Sequence, residues 1–380
     1  MKESPAVALH RLGQSLWLDT ISDGLITSGE LGRLASEGAV YGVTSNPTIF
    51  KGAIGGGRFG YPEAIARLAA EGRSPEAIYD TLAAHDITRT ADIFAPVYER
   101  GTGRDGFVSL EVPPELAHDT DATVAEARRL WSLVSRKNLL VKVPGTPAGI
   151  AAVETLIAGG ISVNVTLIFS RSQYASVAAA FTRGVEARLA SGAPLDGLHS
   201  VASVFVSRLD TAVDKELEAR AAAASPAERT RLESLRGAAA VANAFDIWEE
   251  YRARFFGDAY RPLQARGARP QWLLWASTGT KNPAYSDVKY VEELIGPDSI
   301  NTVPRETLDA WLDHGRVEGN RLDPRVETAR ATRAAFADAG ISLERHCAKL
   351  LDDGVESFAQ SFREMMDTIR ERSAALAPRR

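Results

Sequence analysis

One lysine stands inside an otherwise apolar, strand-like run, where residues 139–146 read Leu-Leu-Val-Lys-Val-Pro-Gly-Thr. Leu140, Val141 and Val143 would take water away from the Lys142 amine, and desolvation disfavours its charged form. A neutral amine attacks carbonyls, so imine chemistry is the reaction this residue type invites. The competing explanation is a buried stem whose charged head reaches the surface at a strand end. Polar residues also punctuate the other strand-like runs: Asp19, Asn46, Glu111, Asn164, Thr166, Ser203 and Ser277. Each has an ordinary explanation alone, because neighbouring backbone can satisfy a buried asparagine or serine and a strand-end aspartate can cap a helix. Together they are harder to dismiss. An interior filled for stability would use Val, Ile and Leu, and burying a lysine with two carboxylates is costly without function or full pairing.

Eight short apolar runs must position these residues: 15–20, 40–46, 107–112, 139–144, 162–169, 200–206, 271–277 and 299–303. Longer helix-like stretches alternate with them, the pattern of parallel strands joined by helices. Helix starts are marked by Thr146 before Pro147, by the capping-box spacing of Ser170 and Gln173, and by Ser225 with Pro226 and Glu228. The fold class predicted is α/β, a (β/α)8 barrel with additional helices; an open doubly wound sheet shares the alternation without needing closure. Two long connections, 46–107 and 206–271, read as extra helices. Residues 1–305 are assigned to the barrel, and 306–380 to C-terminal helices packed on it without a core of their own.

Period-two geometry then sorts the faces. If Lys142 faces the interior, Val141 and Val143 face the helices, as a strand covered on both sides requires. Asp19 lies opposite Leu16 and Leu18, and Glu111 opposite Leu110 and Val112. Asn164 and Thr166 oppose Val163, Val165 and Leu167, while Ser203 and Phe205 oppose Val204 and Val206. Polar groups therefore converge near the C-terminal strand ends, where barrel enzymes place their chemistry.

Composition narrows the function. The 380 residues are 45% hydrophobic and 24% charged, ordinary for a globular protein, and the net charge of −5 argues against nonspecific attraction to nucleic acid or anionic lipid. An anionic ligand would need a local cationic cluster. Histidines at 10, 85, 118, 199, 314 and 346 show no zinc spacing, and Gly55, Gly56 and Gly57 lack nucleotide-binding signatures and read as a flexible loop. Cys347 is the only cysteine, which suits a reducing compartment. No signal-like or spanning segment is apparent, and a cytoplasmic location is expected.

Six strings carry a family resemblance: Leu18-Asp19-Thr20, Thr44-Ser45-Asn46-Pro47, Ser109-Leu110-Glu111-Val112, Val141-Lys142-Val143-Pro144, Asn164-Val165-Thr166-Leu167, and Ser203 through Arg208. In order and spacing, over roughly residues 12 to 305, the chain resembles the transaldolases. The segment from Trp275 to Asn282 and the chain length resemble their long, actinobacterial-type branch. The resemblance implies a cofactor-free barrel enzyme of the class I aldolase type in the pentose phosphate pathway. It would move a dihydroxyacetone unit from sedoheptulose 7-phosphate to glyceraldehyde 3-phosphate, giving erythrose 4-phosphate and fructose 6-phosphate. Lys142 would form the Schiff base, Asp19 would exchange the C4 hydroxyl proton, and Glu111 would shuttle protons with a water positioned by Thr166. Asn46, Asn164, Ser203 and Phe205 would contact substrate, with Arg208, Lys281 and Ser277 at its phosphate. Lys281 departs from the arginine many members carry there, giving a point charge instead of a planar fork. Fructose-6-phosphate aldolase and a noncatalytic sugar-phosphate-binding barrel are the alternatives. Shorter relatives with the aldolase activity tend to carry tyrosine where this chain has Phe205. The partners expected are sugar phosphates, not nucleic acid or membrane, with the chain a monomer or homodimer.

Overall fold

The computed structural model describes residues 3–56, 60–101 and 103–376. Among these, seven strands form one parallel sheet: β1 (Gln14–Leu18), β2 (Val108–Glu111), β3 (Leu139–Pro144), β4 (Val163–Ile168), β5 (Ser200–Phe205), β6 (Trp272–Ala276) and β7 (Ser299–Val303). Their order is β1-β7-β6-β5-β4-β3-β2, which leaves β1 and β2 as the two edges.

The gap between those edges is filled by residues 40–46, the run expected to be a full strand. That expectation needs correction, because Val43 alone bridges, in parallel, to Leu18 on one side and Val108 on the other. Backbone bonds nevertheless run to both neighbours. The amides of Tyr41 and Thr44 donate to Leu16 and Leu18, and the amide of Val43 donates to Phe107. This irregular stave closes the ring, and the (β/α)8 fold follows. The stave is tightly packed at Gly42, where a Cβ would lie 2.7 Å from the Trp17 ring and 2.9 Å from the Phe107 carbonyl. Trp17 is wholly buried and occupies the space a side chain would need.

A second irregularity lies in β4. Its register against β5 shifts between Val165 and Ile168, and Leu167 sits at φ 57°. The alternation expected to continue through Leu167 therefore stops at Thr166. Gln173 braces the bulge: its Nε2 donates to the carbonyls of Leu167 (2.9 Å) and Gly145 (2.7 Å), and its Oε1 accepts from the Phe169 amide (2.8 Å).

The expected helix starts hold. The hydroxyls of Thr146, Ser170 and Ser225 accept from the amides of Gly149, Gln173 and Glu228, each satisfying a donor the helix leaves free. The two long connections carry helices Pro47–Phe50, Tyr61–Ala70 and Pro75–Arg100, then Ser207–Ala222, Pro226–Glu233 and Ala239–Phe256. Gly55 closes a π-helical turn, Lys51–Gly55, instead of lying in a loop, and Arg372 donates to the carbonyls of Ile54 (3.0 Å) and Gly55 (2.9 Å). Gly57 lies outside the described residues. The donor Arg372 belongs to the C-terminal helix Leu343–Leu376, which packs against β4 and against helices Pro47–Phe50 and Ser207–Ala222. Phe358, Met365 and Ile369 of that helix join the same buried apolar cluster as the strands.

Gly42→Ala should lower unfolding free energy by about 1–3 kcal/mol, the usual cost of overpacking. Gly32→Ala, in a helix with nothing within 4 Å of the added methyl, should be neutral or stabilising. Chemical denaturation of both variants checks the pair; equal effects would contradict the close packing at Gly42.

Candidate active site

Strand register sets three polar residues side by side, since Glu111 on β2 pairs with Lys142 on β3, and Lys142 pairs with Asn164 on β4. All three are buried, with Lys142 only 4% exposed. Lys142 Nζ donates to the Ser45 carbonyl at 3.0 Å and lies 3.3 Å from Glu111 Oε2. The second contact has ion-pair distance without hydrogen-bond geometry, so Oε2 has no hydrogen-bond partner. Asn164 continues the polar layer. Its Nδ2 donates to Ser109 Oγ (3.0 Å), and its Oδ1 accepts from Ser203 Oγ (2.7 Å).

Above this layer opens a cavity of about 270 Å³. Lys142 reaches its lining, together with Asp19, Asn46, Ser203, Phe205, Arg208, Ser277 and Lys281. With Thr302 of β7 also in the lining, residues from six staves of the barrel and the loops after them converge at one end. Glu111 and Asn164 stand behind the lining and touch it through Lys142 and Ser203. Thr166 is buried on β4 with its hydroxyl unpartnered, and the structure does not bring it to the lining.

Asp19 follows the end of β1, half-buried, with Oδ1 accepting from Thr44 Oγ1 at 2.6 Å. Thr44 Oγ1 also lies 2.7 Å from Thr302 Oγ1. A hydroxyl has one proton to give; with Thr44 donating to the carboxylate, Thr302 must donate to Thr44. This pair of threonines was missed from sequence. Thr44 lies in the string Thr44-Ser45-Asn46-Pro47 and Thr302 in the run 299–303, and only the fold brings the two together. Asn46 fulfils the ordinary explanation as well: its Oδ1 caps helix Pro47–Phe50 through the Ile49 amide (3.0 Å). Its side-chain nitrogen, with no partner among the described residues, remains available to the cavity.

The opposite wall is cationic. Arg208 is the second residue of helix Ser207–Ala222, and its guanidinium carbon lies 5.0 Å from the Phe205 ring centroid and 5.7 Å from that of Phe358. Among the described residues no acceptor bonds this guanidinium, so its donors remain unclaimed. Ser277, at φ 53°, shares a 3.2 Å hydroxyl contact with Ser207, and exposed Lys281 stands at the rim. Phe358 could not be foreseen, as it arrives from the C-terminal helix.

Burial pushes Asp19 and Glu111 above the ordinary carboxylate range, against the pull of Lys142 on both. Thr44's hydrogen bond also lowers Asp19, while the charge of Asp19 adds to the rise at Glu111. Burial lowers Arg208, which both carboxylates oppose. Among the described residues, no group of three or more His, Cys, Asp or Glu is placed to hold a metal ion. No helix there is long and apolar enough to cross a membrane.

A closed parallel barrel with a buried lysine, flanking carboxyls and an unpaired guanidinium at its C-terminal end defines an aldolase-type barrel enzyme. A family profile described as Transaldolase/Fructose-6-phosphate aldolase matches residues 16–369, and the chain belongs to that family. Curated relatives named transaldolase include one from Thiobacillus denitrificans, 50% identical over 95% of this chain and 98% of its own. Another from Trichodesmium erythraeum is 40% identical over 97% and 98%, and one from the actinobacterium Saccharopolyspora erythraea is 44% identical over 96% of both chains.

Lys142→Met should leave Glu111 buried without its cationic neighbour, raising that carboxyl further above its ordinary value of 4.5. A raised carboxyl costs nothing while protonated and destabilises as pH climbs past the unfolded value. The stability deficit against wild type should therefore grow from pH 5 to pH 8, reaching roughly 3–5 kcal/mol. Denaturant titrations at both pH values measure it; a pH-independent deficit would contradict the pairing.

Proposed function

We propose that this protein is a transaldolase, transferring a dihydroxyacetone unit from sedoheptulose 7-phosphate to glyceraldehyde 3-phosphate through an imine on Lys142. The observation that carries the reading is the position of the Lys142 amine: buried beside Glu111, at the floor of a cavity with Asp19 on one wall and Arg208 on another. In this reading Glu111 takes the proton the ammonium must lose before its lone pair attacks the ketose C2. Protons delivered to the carbinolamine oxygen release it as water and leave the iminium. Asp19 then removes the C4 hydroxyl proton, the C3–C4 bond breaks, and its electron pair is held by the iminium as an enamine. The acceptor aldehyde reverses these steps, and water returns the free amine.

Other residues take supporting parts. Thr166 and Glu111 Oε2, both unpartnered and buried, suit the two ends of a water bridge, since buried polar groups are nearly always bonded. Asn46 and Ser203 are assigned to the hydroxyls of the retained three-carbon unit, with Asn164, behind the lining, holding the Ser203 hydroxyl through its Oδ1. Arg208, Lys281 and Ser277 are assigned to the phosphate, the guanidinium offering unclaimed donors for charge-assisted bonds. The scarcity of cysteine supports a cytoplasmic setting, where such sugar phosphates are free to act as substrates.

Phe205 favours transfer over plain aldol cleavage. It lines the cavity without a hydroxyl to donate a proton to the enamine carbon. Fructose 6-phosphate alone should then release little dihydroxyacetone, and added erythrose 4-phosphate should produce sedoheptulose 7-phosphate in a coupled assay. Rapid free dihydroxyacetone without acceptor would make the protein an aldolase; no reaction under either condition would leave a binding barrel.

Arg208→Ala should raise the KM for fructose 6-phosphate by about 10- to 150-fold, the loss of charge-assisted bonds of roughly 1.5–3 kcal/mol. Unphosphorylated fructose should be affected much less. Steady-state kinetics on the two sugars decide it, and an equal rise for both would place the phosphate elsewhere.

A further inference from the structure

Arg208 is held without any of the bonds that ordinarily fix an arginine. Among the described residues its guanidinium has no carboxylate or carbonyl partner, and what it meets are two aromatic rings set 6.5 Å apart at 65°. One ring, Phe205, belongs to β5, the strand that leads into the arginine's own helix. The other, Phe358, comes from the C-terminal helix and also lines the cavity. Cations are drawn to aromatic faces at such distances, and the attraction grows where water is thin. The long arginine side chain has many rotamers, so contacts that select one of them decide where its donors point.

The same helix makes room for this arrangement. At Gly354, one turn before Phe358, an added Cβ would lie 3.0 Å from Leu167 Cδ2 and 3.6 Å from Arg208 Nη1. A glycine inside a helix is unfavourable relative to alanine. Here its missing side chain admits both the bulged end of β4 and the guanidinium. Two residues of one helical face thus converge on a single functional group, Gly354 giving space at its nitrogen and Phe358 a ring beside it.

We propose that the C-terminal helix sets the preference of this pocket for phosphorylated over unphosphorylated sugars, with Phe358 the positioning residue that keeps Arg208 turned to the cavity. The inference rests on the reading of Arg208 as the phosphate contact. Phe358 acts through the arginine and exchanges no proton with the substrate. Its loss therefore shows in the discrimination between sugars, which a merely structural role would not move.

The test uses the full chain and compares KM for fructose 6-phosphate and for fructose, with inhibition by inorganic phosphate as a second probe. Phe358→Ala should raise KM for fructose 6-phosphate and the inhibition constant for phosphate between about 2-fold and 30-fold, the range a cation–π contact spans. The KM for fructose should rise much less. Phe358→Leu, which keeps apolar volume under the helix but has no ring, should shift the ratio in the same direction, so the test survives if the alanine variant folds poorly. Phe358→Tyr should restore the ratio to near wild type. If Arg208→Ala shifts the ratio and neither ring-deleting variant does, the helix has no such role and the phosphate reading stands. A ratio unmoved by Arg208→Ala overturns the phosphate reading and this inference together.

Discussion

A lysine amine inside a barrel must be given partners or it destabilises the fold, and the surroundings of Lys142 are organised by that demand. The amine meets one carboxylate oxygen of Glu111 and one carbonyl, that of Ser45. The carbonyl is available because residues 40–46 do not form a regular strand. In a full ladder it would be claimed by a neighbouring amide, whereas the irregular stave bridges only at Val43. The Ser45 hydroxyl donates to the Ser109 carbonyl at 2.6 Å, which ties the stave to β2 at the same level. Hydrogen bonding of the stave and placement of the nucleophile are therefore one constraint.

Two departures from regular backbone lie at the cavity end of the barrel, while Ser135 and Asp298, also at positive φ, precede β3 and β7 at the other end. Leu167 and Ser277, both at positive φ, end β4 and follow β6 beside the cavity. Such conformations are costly and persist where surrounding structure over-determines them. Gln173 does this for β4 with three hydrogen bonds, and the Ser207 amide does it for the turn after β6 by donating to the Ser277 carbonyl at 3.0 Å. The cavity is polar on its floor and cationic on one wall. A net charge of −5 does not prevent an anion from binding, because among the described residues no carboxylate pairs directly with the guanidinium that lines the cavity.

Strand parity made much of this legible in the sequence. Lys142, Glu111 and Asn164 lie on doubly buried parallel strands, where a polar residue among Val and Leu marks an interior position, and their register follows. Asp19 and Ser277 were readable as strand ends. What was not readable depended on contacts remote in sequence or on broken periodicity. A period-two argument cannot be carried past Thr166, because a bulge resets the count there. The stave at 40–46 has the composition of a strand, yet it bridges its neighbours only at Val43, and nothing local in its residues marks that. Thr302 gains meaning through Thr44, and Phe358 through Arg208, and neither pair is linked by any local pattern. Asn46 shows the ordinary and the functional explanation holding at once, as helix cap and cavity wall.

The account turns on which atom becomes bonded to substrate. Incubation with fructose 6-phosphate and sodium borohydride, followed by proteolysis and peptide mass mapping, reads that atom directly. A reduced adduct of the three-carbon unit should appear on the peptide carrying Lys142, and be lost in Lys142→Ala. Adduct on another lysine, or none from an enzyme that still turns over, would contradict it.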